Sequence, residues 1–267
     1  MGGAGVIRTG IGGWTYEPWR GVFYPSGLRQ ADELAYAAKH LGTIEINATY
    51  YGSQKPASFA KWRDAAPEQF QFSVKASRYC TNRKVLGEGG PSVAKFFDQG
   101  IAELGEKLGP IVWQFAATKK FEADDFTAFL DLLPQKLDGQ KLRHALEVRH
   151  ESFRCPEFVD LARQHGAAIV YADHDEYPEI ADLTADFVYA RLQRSQDEIA
   201  TGYDDAALDE WARVARSWSE GHAPQGLNYA SARQAAVPGR DVYVYFIGSA
   251  KHRNPAAAMT LAERVSG

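Results

Sequence analysis

The chain has 267 residues, 45% of them hydrophobic and 24% charged, and a formal net charge of −4 at pH 7. That length allows a sizeable core, the composition is that of a globular protein, and the acidic balance supplies no global attraction to nucleic acid. Cys80 and Cys155 alone make no disulfide framework and point to a reducing, cytoplasmic setting, and no apolar run approaches the roughly 20 residues that a membrane-spanning helix needs.

Residues 1–5, Met-Gly-Gly-Ala-Gly, lack the apolar centre of a secretory signal and are expected as a disordered start. Strand signals follow at 7–12, 43–47, 70–75, 110–115, 144–149, 168–173, 187–192 and 241–247. Helical spacing fills most of the intervals. Leu34, Ala37, Ala38 and Leu41 make one stripe, and Val93, Phe97, Ile101, Leu104 and Leu108 make another. Further helices are expected at 124–133, 156–165, 205–219 and 255–265. Asp124 and Asp205 suit N-caps, Pro156 and Pro255 suit first turns, and Gly166 suits a C-terminal stop. The strands at 168–173 and 187–192 are too close for a full helix between them. The stretch 220–240, rich in Gly, Ala, Pro and Gln, reads as a loop inserted before the last strand.

Strands alternating with helices over this length predict an α/β protein. The expected form is a TIM-type (β/α)8 barrel, a single domain over 6–267, with a short or missing helix between strands six and seven. An open doubly wound sheet is the alternative, but its strands carry apolar residues on both faces. Here one parity turns polar toward the strand ends. Glu45 shares a face with Asn47, Ser73 with Lys75, Glu147 with Arg149, and Tyr189 with Arg191, while Ile44, Ile46, Val74 and Val148 take the other face. In a barrel the polar parity would point inward at the C-terminal mouth.

Gly12-Gly-Trp-Thr-Tyr16 with Trp19, Ile44-Glu-Ile-Asn-Ala-Thr-Tyr50, Phe72-Ser-Val-Lys75 and Leu146-Glu-Val-Arg-His150 run in order along the chain. With Phe187-Val-Tyr-Ala-Arg-Leu192 and Asp241-Val-Tyr-Val-Tyr-Phe246 they resemble the YecE-like family, domain of unknown function 72. The resemblance implies a TIM-type barrel and brings no settled activity. The chain departs from the family pattern at Gln193-Arg194, where His-Gly is usual, and at Ile247-Gly248, where Asn-Asn is usual. These departures imply a shifted substrate or a lost activity.

The inward set holds three acids, Glu45, Glu147 and Asp173, and three cations, Lys75, Arg149 and Arg191. It reads either as an active centre or as an ion-pair plug. In the first reading Glu45 and Asp173 are the acid–base pair, and Lys75 is a base, a nucleophile or an electrostatic stabiliser. Arg149 and Arg191 anchor an anion, while Asn47, Gln114, His150 and Tyr245 orient the substrate and Trp14 stacks on it. His150 also reads as a capping residue. Two carboxylates across a cavity suit glycoside hydrolysis as well. No cofactor is expected; a divalent cation would rest on Glu45, Glu147 and Asp173. No dinucleotide fingerprint, Walker A motif or nucleophile elbow is present.

The substrate expected is small, polar, and anionic or polyhydroxylated, such as a sugar phosphate or nucleotide fragment, with hydrolase, lyase and isomerase chemistry all open. The alternatives are a nucleic-acid barrel using Lys75, Arg78, Arg83, Lys84 and Arg194, and a non-catalytic ligand-binding barrel.

Overall fold

The computed structural model describes residues 3–232 and 239–267. Nine strand segments form one parallel sheet: β1 (Ile7–Gly12), β2 (Thr43–Ile46), β3 (Gln71–Lys75), β4 (Leu108–Gln114), β5 (His144–Glu147), β6 (Ala168–Ile169), β7 (Tyr171–Asp173), β8 (Phe187–Leu192) and β9 (Asp241–Phe246). Their order is β6-β5-β4-β3-β2-β1-β9-β8-β7. β6 pairs with β5 and β7 pairs with β8, and only Val170 separates the two. They are halves of one stave, so the sheet closes on itself as the expected TIM-type barrel.

Alternation along each strand sorts the side chains. Ile44, Ile46, Phe72, Val74, Leu146 and Val188 point outward into the core beneath the helices. Val112, Ala145, Ala168, Val170, Tyr189, Tyr243 and Tyr245 fill the barrel itself. Polar atoms inside are paired, as burial demands. Tyr243 donates to Gln71, Tyr245 and Thr43 share a 2.8 Å hydrogen bond, and Ser73 and Tyr189 share one of 2.9 Å. Glu45, Lys75, Gln114, Glu147 and Arg191 cap this stack.

The surrounding helices are α1 (Glu33–His40), α2 (Ala48–Tyr51), α3 (Pro56–Ala65), α4 (Arg78–Thr81), α5 (Gly90–Asp98), α6 (Ala123–Asp131), α7 (Pro156–Gln164), α8 (Asp205–Ser219) and α9 (Asn254–Ser266). α7 forms as the sequence predicts: Pro156 opens it, Phe158, Val159, Leu161 and Ala162 bury one face, and Gly166 at φ 61° ends it.

Elsewhere the boundaries move. The stripe from Val93 to Leu108 is not one helix, because Gly100 at φ 105° breaks it and a 3-10 segment resumes at Ile101–Lys107. A Cβ at Gly100 would stand 2.6 Å from Pro56 Cα, so α3 presses against the break. The N-cap of α8 is Asp204, which accepts the Ala207 amide at 2.7 Å, rather than Asp205; α6 starts at Ala123, which puts Asp124 inside its first turn.

No helix occurs between β7 and β8, as expected from their spacing. That segment is held instead by the loop before β9. The Asp182 carboxylate accepts the amides of Ala230 and Ser231 at 2.6 and 3.0 Å, and the Ala181 amide donates to the Asn228 carbonyl at 2.8 Å. Residues 233–238 of the expected insertion, and Met1 and Gly2 of the expected disordered start, lie outside the described residues. Gly5 donates its amide to the Ser219 carbonyl at 2.9 Å.

Candidate active site

At the C-terminal ends of the strands two fully buried acids share one cation. Arg191, on β8, donates through Nη1 to Glu147 Oε2 and through Nη2 to Glu45 Oε1, the latter at 3.2 Å. The other bonds give every oxygen of both carboxylates a partner. Tyr189 donates to Glu45 Oε2 at 2.6 Å, Gln114 to Glu147 Oε2 at 2.8 Å, and Arg149 Nε and Nη2 to Glu147 Oε1 at 3.0 and 2.7 Å. Burial disfavours charge on Glu147, but Arg191, then Arg149 and Lys75, outweigh it and hold the carboxyl down at about 2. Burial works against Arg191 as well, and Glu147 and Glu45 raise its pKa in spite of it. This part of the inward set is the ion-pair network.

Lys75 is different. It is 8% exposed, and among the described residues its amine holds no hydrogen bond or ion pair; the Tyr50 ring lies under it, 4.5 Å from Nζ to the centroid. Lys75 forms no bridge to Glu45, whose two oxygens accept from Tyr189 and Arg191. Burial and then Arg191 push the amine down to about 8, against the opposing pull of Glu45 and Glu147. Its backbone is pinned, with Thr49 Oγ1 donating to the Lys75 carbonyl at 2.7 Å.

Above these groups opens a cleft of about 510 Å³, in the size range of small-molecule sites. Lys75 and Arg191 line it from the barrel, Trp14 and Asn47 from the first two loops, Lys251 from the short turn before α9, and Asn254 from the start of α9. Tyr51, two-thirds exposed, stands at its rim. No carboxylate lines it among the described residues. Lys251 sits against the aromatic loop after β1, its Nζ 4.4 Å from the Tyr16 ring centroid and 5.6 Å from that of Trp19, and burial lowers its pKa. Another cavity, about 290 Å³, lies at the opposite end of the barrel between Arg143, His144 and Arg240, remote from Lys75.

Of the residues singled out from sequence, Trp14, Asn47, Lys75 and Arg191 meet in this cleft, and Glu45 lies directly beneath it. Five others do not line it. Asp173 has the parity of Tyr171, whose ring packs toward Trp211 and Trp218 of α8, so it faces away from the barrel axis and pairs with Arg194. The supposed acid–base pair of Glu45 and Asp173 therefore does not assemble, nor does the three-carboxylate cation set. Among the described residues no group of three or more His, Cys, Asp and Glu side chains could hold a metal ion.

Tyr245 is fully buried one layer down, bonded to Thr43 and stacked on Tyr189 at 4.8 Å between centroids. Gln114 is spent on Glu147, and Arg149 is spent on Glu147 and stacked at 4.6 Å over Tyr177. His150 accepts the Ser152 amide at 3.1 Å and so caps the turn Glu151–Phe153, the second of the two readings. Sequence reasoning missed Lys251, Asn254 and Tyr51. The position of Lys251, just after the last strand, was the one available signal. Arg83 and Lys84 of the basic set line a separate groove with Lys119 and Lys120, while Arg194 is paired with Asp173, Asp175 and Glu179.

The family model described as "Protein of unknown function DUF72" matches residues 8–267. The UPF0759 protein YecE of Escherichia coli K12 is 26% identical over 151 residues, 55% of this chain and 50% of that protein. The UPF0759 protein YunF of Bacillus subtilis is 25% identical over 160 residues, 58% of this chain and 55% of that protein. The chain spans about half the length of these relatives in the match. A DUF72 family protein from Thermotoga maritima has a crystal structure that superposes with a TM-score of 0.74 at 21% identity, covering 98% of this chain and 100% of that one. This last likeness is one of fold.

Proposed function

The chain belongs to the DUF72 family, and from the mouth of its barrel we propose that it is an enzyme acting on a small anionic substrate by proton transfer. The single observation that carries this is the lining of the cleft: Lys75, Arg191 and Lys251 face it, while the acids that balance the barrel lie sealed below. Arg191 is balanced by the two acids beneath it, but Lys75 and Lys251 face this concave site with no carboxylate paired to them among the described residues, and that unbalanced charge attracts an anion. Arg191 is held rigid by two carboxylates, so it presents a fixed positive field. Lys251 supplies the second anchor from the loop before α9.

Lys75 is the group that moves the proton. An amine near pKa 8 is present in both protonation states around neutral pH, which is the condition for effective general acid–base work. Glu45 and Glu147 set its field and do not touch the cleft. Asn47 and Asn254 offer amide hydrogen bonds, and Trp14 and Tyr51 offer ring faces to a sugar or base. A sugar phosphate or nucleotide fragment suits this mixture of cations, amides and rings.

The test is a turnover screen over phosphorylated sugars, nucleotides and hydroxy acids with the wild type, Lys75→Arg and Asp173→Asn. Activity lost in Lys75→Arg and kept in Asp173→Asn is the expected result. An activity that survives replacement of Lys75 overturns the assignment.

A further inference from the structure

We propose that the Lys75 amine is a nucleophile that forms an imine with the carbonyl carbon of an anionic aldehyde or ketone bound in the cleft. This rests on the reading of the cleft as an anion-binding active site, and it adds the reacting group of the substrate.

A lysine that serves structure normally spends its charge on a carboxylate when it is buried, because an uncompensated ammonium is costly. Lys75 has two acids close by and pairs with neither. Arg191 occupies one oxygen of each, and Tyr189, Gln114 and Arg149 occupy the rest. The groups facing the amine are the cations Arg191 and Arg149, the acids Glu45 and Glu147, and the ring of Tyr50. No acid or carbonyl among the described residues engages the amine, and the strand end that carries it is fixed by Thr49. The amine therefore faces the cleft unpaired, on a fixed strand end.

Its lowered pKa supports this. At pH 7.5 an amine near 8 is in its neutral form roughly two hundredfold more often than an exposed lysine. Attack by the neutral nitrogen forms a C–N bond while the carbonyl π pair moves to oxygen, which takes up a proton. The carbinolamine then loses its hydroxyl group with a proton as water, leaving a C=N bond. The sum is amine plus carbonyl giving imine plus water, with no change of oxidation state. Arg191 and Lys251 would hold the anionic end of the substrate and so place its carbonyl over Nζ.

The experiment traps the imine. Full-length protein is incubated with D-ribose 5-phosphate, dihydroxyacetone phosphate or glyoxylate, then reduced with sodium borohydride and examined by intact mass and peptide mapping. The expected result with at least one probe is a single adduct per chain on the peptide holding Lys75, suppressed by inorganic phosphate and absent in Lys75→Arg and Lys75→Met. No borohydride-dependent adduct with any probe, or adducts spread evenly over exposed lysines, overturns the proposal. Thermal shift by inorganic phosphate, run alongside, separates the two readings. A shift without an adduct removes the imine and leaves the anion site standing. An adduct on Lys75 that phosphate neither protects nor accompanies with a shift removes the anion site.

Discussion

Lys75 and Arg191 stand together on the floor of the mouth cleft, and Arg191 holds both of the acids that would otherwise pair with the lysine. One cation is thereby made structural and the other is left free. The division follows from geometry. The planar guanidinium of Arg191 reaches one oxygen of each acid with separate Nη–H groups, and Lys75, at the end of β3, makes no such contact.

Replacing the bridge should therefore be costly. Arg191→Met leaves Glu45 and Glu147 buried with their shared cation gone, and removing one partner of such a group destabilises by about 3–5 kcal/mol. Urea unfolding should show this as a lower midpoint with an unchanged slope. A change below about 1 kcal/mol, the scale of an exposed pair, would mean that the bridge is not what neutralises the acids.

Asp173→Asn should have the opposite character. Burial lifts the Asp173 carboxyl to about 6 from its ordinary 3.8, despite the nearby Arg194. A carboxyl raised on folding gives stability that is present below pH 3.8 and lost as pH rises through about 6. The Asn variant should lose that slope and be more stable than wild type at pH 7, with Arg194 still facing Asp175 and Glu179. Because the side chain points away from the axis, substrate turnover should stay within about twofold of wild type, less than half a kcal/mol of barrier. Thermal unfolding at pH 4 and 7 checks the first half, and kinetics check the second.

Asp173 also shows where reading the sequence stops. Alternation located the staves and the inward sets of β2, β3 and β8, because each has one apolar and one polar parity. In the stave 168–173 both parities are apolar until the last residue, so the alternation does not say which side faces the axis. Ala168 and Val170 take the interior, and Asp173 follows Tyr171 outward. Tyr245 was misplaced for a different reason. Strand tilt staggers the layers, so a residue's distance from its strand end does not give its height in the barrel. Lys251 opens a three-residue 3-10 turn, too short to show a period, and only the closed fold brings it into one cleft with Lys75.

Lys251→Met should weaken anion binding while leaving the fold intact. The side chain is partly buried over Tyr16 and Trp19, and Met keeps most of that apolar contact. Losing one of the cations that line the cleft should lower affinity for inorganic phosphate about tenfold, the equivalent of 1.4 kcal/mol. Calorimetry at low and moderate salt checks this, and the variant should also show the weaker salt dependence. Unchanged affinity would place the anion elsewhere.

Lys75→Met should raise stability at neutral pH rather than reduce it. The amine is lowered on folding from its ordinary 10.5 to about 8. The folded state therefore holds this proton less tightly than the unfolded chain does. Below pH 8 the full penalty of the buried charge applies, and it is recovered only as pH climbs from about 8 to 10.5. Met removes the penalty, worth up to about 3 kcal/mol at pH 7 by the size of the shift, and offers the ring of Tyr50 a thioether in place of a cation. Wild type should gain stability relative to the variant as pH rises from 8 to 10.5, until the two curves converge. Denaturant unfolding across that range is the measurement. A variant less stable than wild type at pH 7 would mean that Lys75 is a needed counter-charge for Glu147 and no reserve nucleophile.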